Sequence, residues 1–444
     1  MKTAKIALVC VANHFESGGE RWETLMKGAK QQFENSGLEV ISADRMVWDA
    51  ADAMAVVDQF SADPPDMLVI IHVTWVCDTI QYLFVNNITC PVVLWAVPYT
   101  ETFSIGCVQH FGSILKENGY NYSYVYGLPE NSDVVEKVVR QAKVSAVAAL
   151  LKDARIALIG PRQTWRVANS QDMVKEEWDF SKTFGATIIH IEMDELQETA
   201  NTYADAEADK VLEKMKNEGR LGKVETDQGR MRSAAKVYLG VKALFERYGL
   251  TAAAAECYPM YGGLVNLPSS WLADEGLVLD TEGDIGHTLL MVALNNLGTP
   301  CPAVLAEIGS ISAKNSWFDL AHEGSTAHSL AEDVSKVVIQ DGGDGTMVGL
   351  PYKPLPEVTM THMVGTGGNY KMMLLKGSTE RISHEEWVEG GSKLMLRFKV
   401  DNAWVVFDNM LENGFDHHLI VKEGDVTEEL GCLCDVFGVE KVRL

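Results

Sequence analysis

The chain has 444 residues, of which 47% are hydrophobic, and a formal charge of −24 at pH 7. That length sets two to three domains with sizeable cores, and the composition excludes a disordered chain. So acidic a surface repels phosphate backbones and anionic lipid, which excludes nucleic acid and membranes as expected partners but leaves room for an anionic small molecule in a local basic pocket.

The first apolar run, Lys5–Ala12, is short and is followed at once by Asn13, His14 and Glu16, so it reads as a buried strand rather than a signal peptide. No apolar run approaches the roughly 18 residues of a membrane span. Helical periodicity follows over Glu20–Asn35, and Asp66–Thr74 and Pro91–Pro98 are further continuous apolar runs. Continuous rather than alternating apolarity marks strands covered on both faces. With helical stretches at Asp78–Phe84 and Ile105–Glu117, these make a βαβ series on a parallel sheet. A long helix over Asp133–Lys152 closes it, and the pattern restarts at Ala154–Gly160. Thr187–Glu192 and Thr251–Cys257 read as strands, and Ala204–Gly219 and Met231–Tyr248 as helices. Beyond about residue 300 the chain is broken by Gly342–Gly345 and Gly365–Gly368 and carries short β-rich runs at Glu357–Met363, Tyr370–Leu375, Lys393–Val400 and Ala403–Phe407. The expected architecture is α/β: two doubly wound parallel-sheet (flavodoxin-like) domains, residues 1–152 and 153–279, then a β-rich, barrel-like domain at 280–444. The eight cysteines are scattered with no CxxC pair, as suits reduced thiols in a cytoplasmic protein.

Three places carry candidate chemistry. Glu256 follows the small apolar run Ala252–Ala255, at the strand end where α/β folds place their sites; alone it is equally a solvated strand-end residue. Asp284 precedes the helical stretch Ile285–Leu297, where an N-cap is the simpler role, and Glu282 and Asp280 compete with it. His417 and His418 are adjacent, so in a strand only one of them can enter a given site. His322 and His328 lack the spacing of two ligands on one helix face, and no GxGxxG or Walker-type motif supports a nucleotide cofactor. A Glu, an Asp and a His together make a hard site suited to Mn²⁺ or Mg²⁺ rather than structural Zn²⁺.

The order of these features resembles the L-fucose isomerase and L-arabinose isomerase superfamily over nearly the whole chain: two α/β domains, Ala255-Glu256-Cys257-Tyr258-Pro259, Glu282-Gly283-Asp284, then a β-rich domain with Phe415-Asp416-His417-His418. The resemblance implies a metal-dependent aldose–ketose isomerase. Its metal ligands would be Glu256, Asp284 and His418, and its ion Mn²⁺, with Mg²⁺ or Co²⁺ as alternatives. Gly106–Gly112 resembles a Gln/His-bearing segment that lines the sugar site, and Trp75 falls where the family places an aromatic. Trp75, Gln109, His110 and His322 are therefore the expected substrate contacts, with His322 also the candidate for a fourth ligand. A homohexamer with sites shared between subunits is implied as well. In such a reaction Glu256 and Asp284 would exchange protons with carbon and oxygen through an enediolate. His14, Arg21, Arg162 and Arg166 near strand ends are candidates to hold an anionic tail. Two α/β domains also describe a sugar-binding protein of periplasmic or sensor type, and a metal-dependent aldolase is a third reading.

Overall fold

A computed structural model describes residues 3–160, 177–258, 260–322, 324–391 and 393–444; Arg162 and Arg166 lie outside the described residues. In the first 150 residues strand and helix alternate: β1 (Lys5–Val11), α1 (Trp22–Asn35), β2 (Glu39–Ser42), α2 (Ala50–Ala62), β3 (Met67–His72), α3 (Asp78–Asn87), β4 (Val92–Ala96), α4 (Ser104–Glu117), β5 (Tyr122–Tyr126) and α5 (Ser132–Lys152). The sheet is wholly parallel, in the order β2-β1-β3-β4-β5, the flavodoxin-like winding. β3 and β4 are buried along their whole length, as their continuous apolar runs require. The edge strands β2 and β5 are only partly covered, so they show no continuous run. α2 begins where Asp49 accepts from the backbone N–H groups of Ala51 and Asp52.

The remainder begins with β6 (Arg155–Ile159), α6 (Glu177–Phe184), β7 (Thr187–Ile191), α7 (Met193–Asn201), α8 (Asp205–Asn217), β8 (Lys223–Val224), α9 (Gln228–Tyr248), β9 (Ala252–Ala255), α10 (Asn266–Asp274), β10 (Val278–Asp280) and α11 (Ile285–Asn295). Its parallel sheet runs β10-β9-β6-β7. There follow β11 (Val304–Ser312), β12 (Trp317–His322), β13 (Val338–Gly342), β14 (Gly345–Gly349), β15 (Leu355–Thr366), β16 (Asn369–Glu380), α12 (His384–Glu389), β17 (Leu394–Lys399), α13 (Ala403–Glu412), β18 (Leu419–Glu423), α14 (Thr427–Phe437) and β19 (Glu440–Arg443). Six of these strands pair antiparallel in a closed ring, β15-β18-β11-β12-β17-β16 and back to β15, with β19 added on β16. This is the barrel expected from the β-rich runs. One expectation fails: Ala403–Phe407 is the first half of α13, not a strand. Its Trp-Val-Val-Phe sequence favours a strand, but Asn402 caps the N–H of Val405 and starts a helix.

The chain divides into two units, Met1–Leu150 and Leu151–Leu444, each with its own core. In the second, one core runs from Ala157 and Ile159 of β6 through Trp271 of α10 to Phe318, Leu396 and Val421 of the barrel. The parallel sheet and the barrel thus share apolar packing across residue 279. No helix among the described residues is long and apolar enough to cross a membrane.

A buried histidine gives the first unit a pH signature. His72 closes β3; its Nε2 lies 2.6 Å from Gln81 Oε1 and its Nδ1 3.4 Å from the Trp95 carbonyl. Burial lowers it to about 4, against the smaller opposing effect of these hydrogen bonds. The folded chain therefore keeps His72 neutral at pH values where the unfolded chain protonates it. Its contribution is fully present above about pH 6.5 and is lost as pH falls towards 4, by about 3 kcal/mol. Denaturant unfolding of the wild type and His72→Gln across pH 7 to 4 checks this. The wild type should lose stability faster than the variant over that window, and parallel curves would show that His72 titrates normally.

Candidate functional site

The site of interest lies in the second unit, where the carboxyl ends of β9 and β10 meet the barrel. The turn after β10 is shaped by Asp280, whose Oδ1 accepts from the N–H groups of both Glu282 and Asp284 at 3.0 Å. Gly283 sits at the apex with φ +77°, a conformation that disfavours any Cβ. Glu256 forms an isolated bridge to Glu282, and its side chain lies against Gly283: a Cβ there would stand 2.3 Å from Glu256 Cγ. Asp284 then caps α11, accepting from the N–H of His287 at 2.9 Å.

Around this turn four side chains converge: Glu282, Glu307 in β11, His322 at the end of β12, and His418 just before β18. One ligand atom from each lies within 4.8 Å of all the others. His418 Nε2 is 2.9 Å from Glu282 Oε2 and 3.4 Å from Glu307 Oε1, and His322 Nε2 is 3.4 Å from Glu282 Oε1. All four ring nitrogens of His322 and His418 are buried without a hydrogen bond of acceptable geometry. Buried polar atoms rarely remain so. Two carboxylates and two imidazoles converging in this way could hold a divalent cation.

The same packing sets the electrostatics. Burial alone would raise the Glu282 carboxyl, but His322 and His418 outweigh it and hold it well below the ordinary range. Burial alone would lower His418, but Asp284, Glu282 and Glu307 outweigh it and push it far above its ordinary value. Glu307 is also lowered, because His418 and His322 overcome the opposing effect of burial. Asp280 is raised to about 6, first by burial and then by the neighbouring Asp284 charge. Negative charge is thus concentrated where water is scarce.

The structure brings together some of the expected residues and sets others beside them. His418 is buried at the centre, and His322 joins it. Both histidines of the pair lie in the loop that feeds β18; His417 is exposed, with Nε2 3.7 Å from Glu307 Oε1. Asp284 falls in a second grouping with His287 and His418, and Glu256 contributes to neither grouping. Glu282, which competed with Asp284 in the sequence, takes the position between the two histidines. Glu307 was not anticipated; its one signal was a single acidic residue in the apolar run Ala303–Ile308. Trp75 is half-buried in the loop after β3, its N–H donating to the Thr102 carbonyl at 2.7 Å. Gln109 and His110 lie exposed on the outer face of α4. His14 stacks on Trp48 at 4.4 Å, and Arg21 pairs with Glu101 at 2.8 Å above the Tyr99 ring.

No family model matches the chain. It is similar to three proteins named sulfoquinovose isomerase. The one from Alkalicoccus urumqiensis is 21% identical over 405 residues, covering 86% of this chain and 87% of the relative. That from Clostridium sp. (strain MSTE9) is 23% identical, covering 85% and 86%, and that from Priestia aryabhattai 20% identical, covering 88% of both. Among solved structures, an ABC transporter solute binding protein from Burkholderia multivorans aligns over 66% of this chain and 93% of its own, at 15% identity and a TM-score of 0.19, too low to indicate a common fold.

The glycine at the turn is a direct test of this geometry. Gly283→Ala should lower stability by about 1–3 kcal/mol, from positive-φ strain and the clash with Glu256. An unchanged urea midpoint would show that the turn is not held as described.

Proposed function

We propose that the chain is an aldose–ketose isomerase working at the cluster of Glu282, Glu307, His322 and His418. The sulfoquinovose isomerases, similar at low identity over most of the chain, support the isomerase reaction. The observation that carries the reading is the convergence of four donors with unused, buried imidazole nitrogens. These four residues would hold a divalent ion, Mn²⁺ before Mg²⁺ or Co²⁺. Bound there, it supplies electrostatic stabilisation for negative charge developing on neighbouring sugar oxygens.

The residues of the chain do the rest. Isomerisation moves one proton between adjacent carbons and one between their oxygens, so it needs two groups that can exchange protons within a short distance. Glu282 and Glu307 are such a pair: their oxygens border one small volume, and both are held ionised. His322 and His418 hold them in place and supply the nitrogen donors. Glu282 is largely shielded from bulk water, and Glu307 is left partly exposed on the open side of the cluster. The substrate class is an aldose, with sulfoquinovose and other hexoses altered at carbon 6 first, and L-fucose and arabinose beside them. The homohexamer implied by the sequence resemblance belongs to the same proposal; a monomeric mass in solution would overturn that part.

Two measurements test it. Protein stripped with chelator and returned to Mn²⁺ should convert an aldose of this panel to its ketose, and Glu282→Gln and Glu307→Gln should each lower the rate by about 10²-fold or more. Full turnover after exhaustive chelation, with metal absence confirmed by elemental analysis, would remove the ion; sugar binding without conversion would restore the binding-protein reading. Separately, His418→Ala should lose bound metal while exposed His417→Ala retains most of it. Loss confined to the His417 variant would place the wrong histidine at the site.

A further inference from the structure

Behind the four donors lies a second group that the reaction does not use: the buried Asp284, His287 and His362, with the partly exposed Asp416 at its edge. Asp284 Oδ2 contacts His287 Nδ1, and His287 Nε2 lies 2.6 Å from His362 Nδ1. A carboxylate at Nδ1 fixes the proton of His287 there, so its Nε2 carries the lone pair and accepts from His362 Nδ1–H. That same His362 nitrogen lies against the carbonyl of His418. His362 Nε2 stands 3.2 Å from Asp416 Oδ2, and Asp416 Oδ1 accepts the N–H of His418 at 3.0 Å. The circuit closes at the His418 ring, whose Nδ1 faces Asp284 Oδ2 at 3.6 Å. His287 and His362 are completely buried.

We infer that this circuit is a positioning device for His418: His362 and Asp416 fix its main chain, and Asp284 fixes which ring nitrogen bears the proton. Once Nε2 has given up its proton, as ligation requires, a carboxylate facing Nδ1 keeps the remaining proton there and leaves the Nε2 lone pair towards Glu282 and Glu307, the side on which an ion would sit. Asp284 is then not a ligand but the residue that makes His418 one. Its oxygens are already engaged, one capping α11 and the other against His287. The inference rests on the metal-site reading above, and it assigns His287 and His362 a role although neither belongs to the four-donor group.

The test is Mn²⁺ binding to the apo form of the full chain, by calorimetric titration, for wild type, His362→Gln, Asp284→Asn and Glu282→Gln, with the apo unfolding midpoint measured for each. His362→Gln and Asp284→Asn should bind Mn²⁺ at full stoichiometry but about 10- to 100-fold more weakly, with apo midpoints close to wild type. Saturating Co²⁺ should also show shifted visible bands in both variants, because the imidazole is no longer held in one orientation. Wild-type affinity in both variants would overturn the inference. So would weakened binding explained wholly by a smaller folded fraction. Complete loss of stoichiometric binding in Asp284→Asn, matching Glu282→Gln, would make Asp284 a ligand instead. If the wild type itself binds no Mn²⁺, the metal-site reading fails first and the inference falls with it. Should His362→Gln not fold, Asp284→Asn decides alone, since Asn retains the helix cap.

Discussion

The second unit is organised around one buried imidazole confronted by several carboxylates. His418 has no exposure to water, yet Glu282, Glu307 and Asp284 all lie within 3.6 Å of its ring nitrogens. Charges removed from water are costly unless each finds a partner of opposite sign, and three carboxylates crowd this one imidazole. Every nearby feature bears on that imbalance. Asp280 spends one oxygen on two backbone N–H groups, Gly283 permits the tight turn, and α11 offers the positive end of its dipole to Asp284. What remains is a pocket of crowded carboxylates around two buried imidazoles, of a kind that could hold a cation.

The barrel delivers most of these groups because its strands end or begin there. β12 ends at His322, β18 begins immediately after His418, and Glu307 sits in the strand between them. The parallel sheet delivers Glu282 and Asp284 from the turn at the carboxyl end of β10, the usual place for a site in such sheets. A shared hydrophobic core locks the two sheets together, so donors from distant parts of the sequence are held by packed apolar side chains rather than by loops alone.

The sequence made some of this legible and hid the rest for definite reasons. β1, β3 and β4 are apolar throughout because both faces are covered, and so they were visible. β2 and β5 lie at sheet edges and carry no such mark. Ala403–Phe407 misled because β-branched and aromatic residues also fill a helix once Asn402 caps it. At the site, the adjacent pair marked one entering histidine without saying which, the family resemblance singled out His418, and the cap role of Asp284 could be read from its place before a helix. The choice among Asp280, Glu282 and Asp284 could not, since it depends on a turn in which Asp280 binds the backbone and so directs its neighbours to different sides. Glu307 and His362 were hidden for a common reason: each lies within a strand, and only the barrel closure shows what it faces.

That closure also sets an order in time. The ring of strands is sealed by β18, which pairs with β11 and β15, and the four donors span residues 282 to 418. During synthesis, with the amino-terminal part folding first, the parallel sheets can form while β18 is still unmade. The pocket cannot. Until residue 418 has left the ribosome, Glu282 and Glu307 face an unfinished wall open to solvent, and the four side chains do not yet converge. The convergence of the four side chains is therefore acquired late, only once β18 has joined the ring.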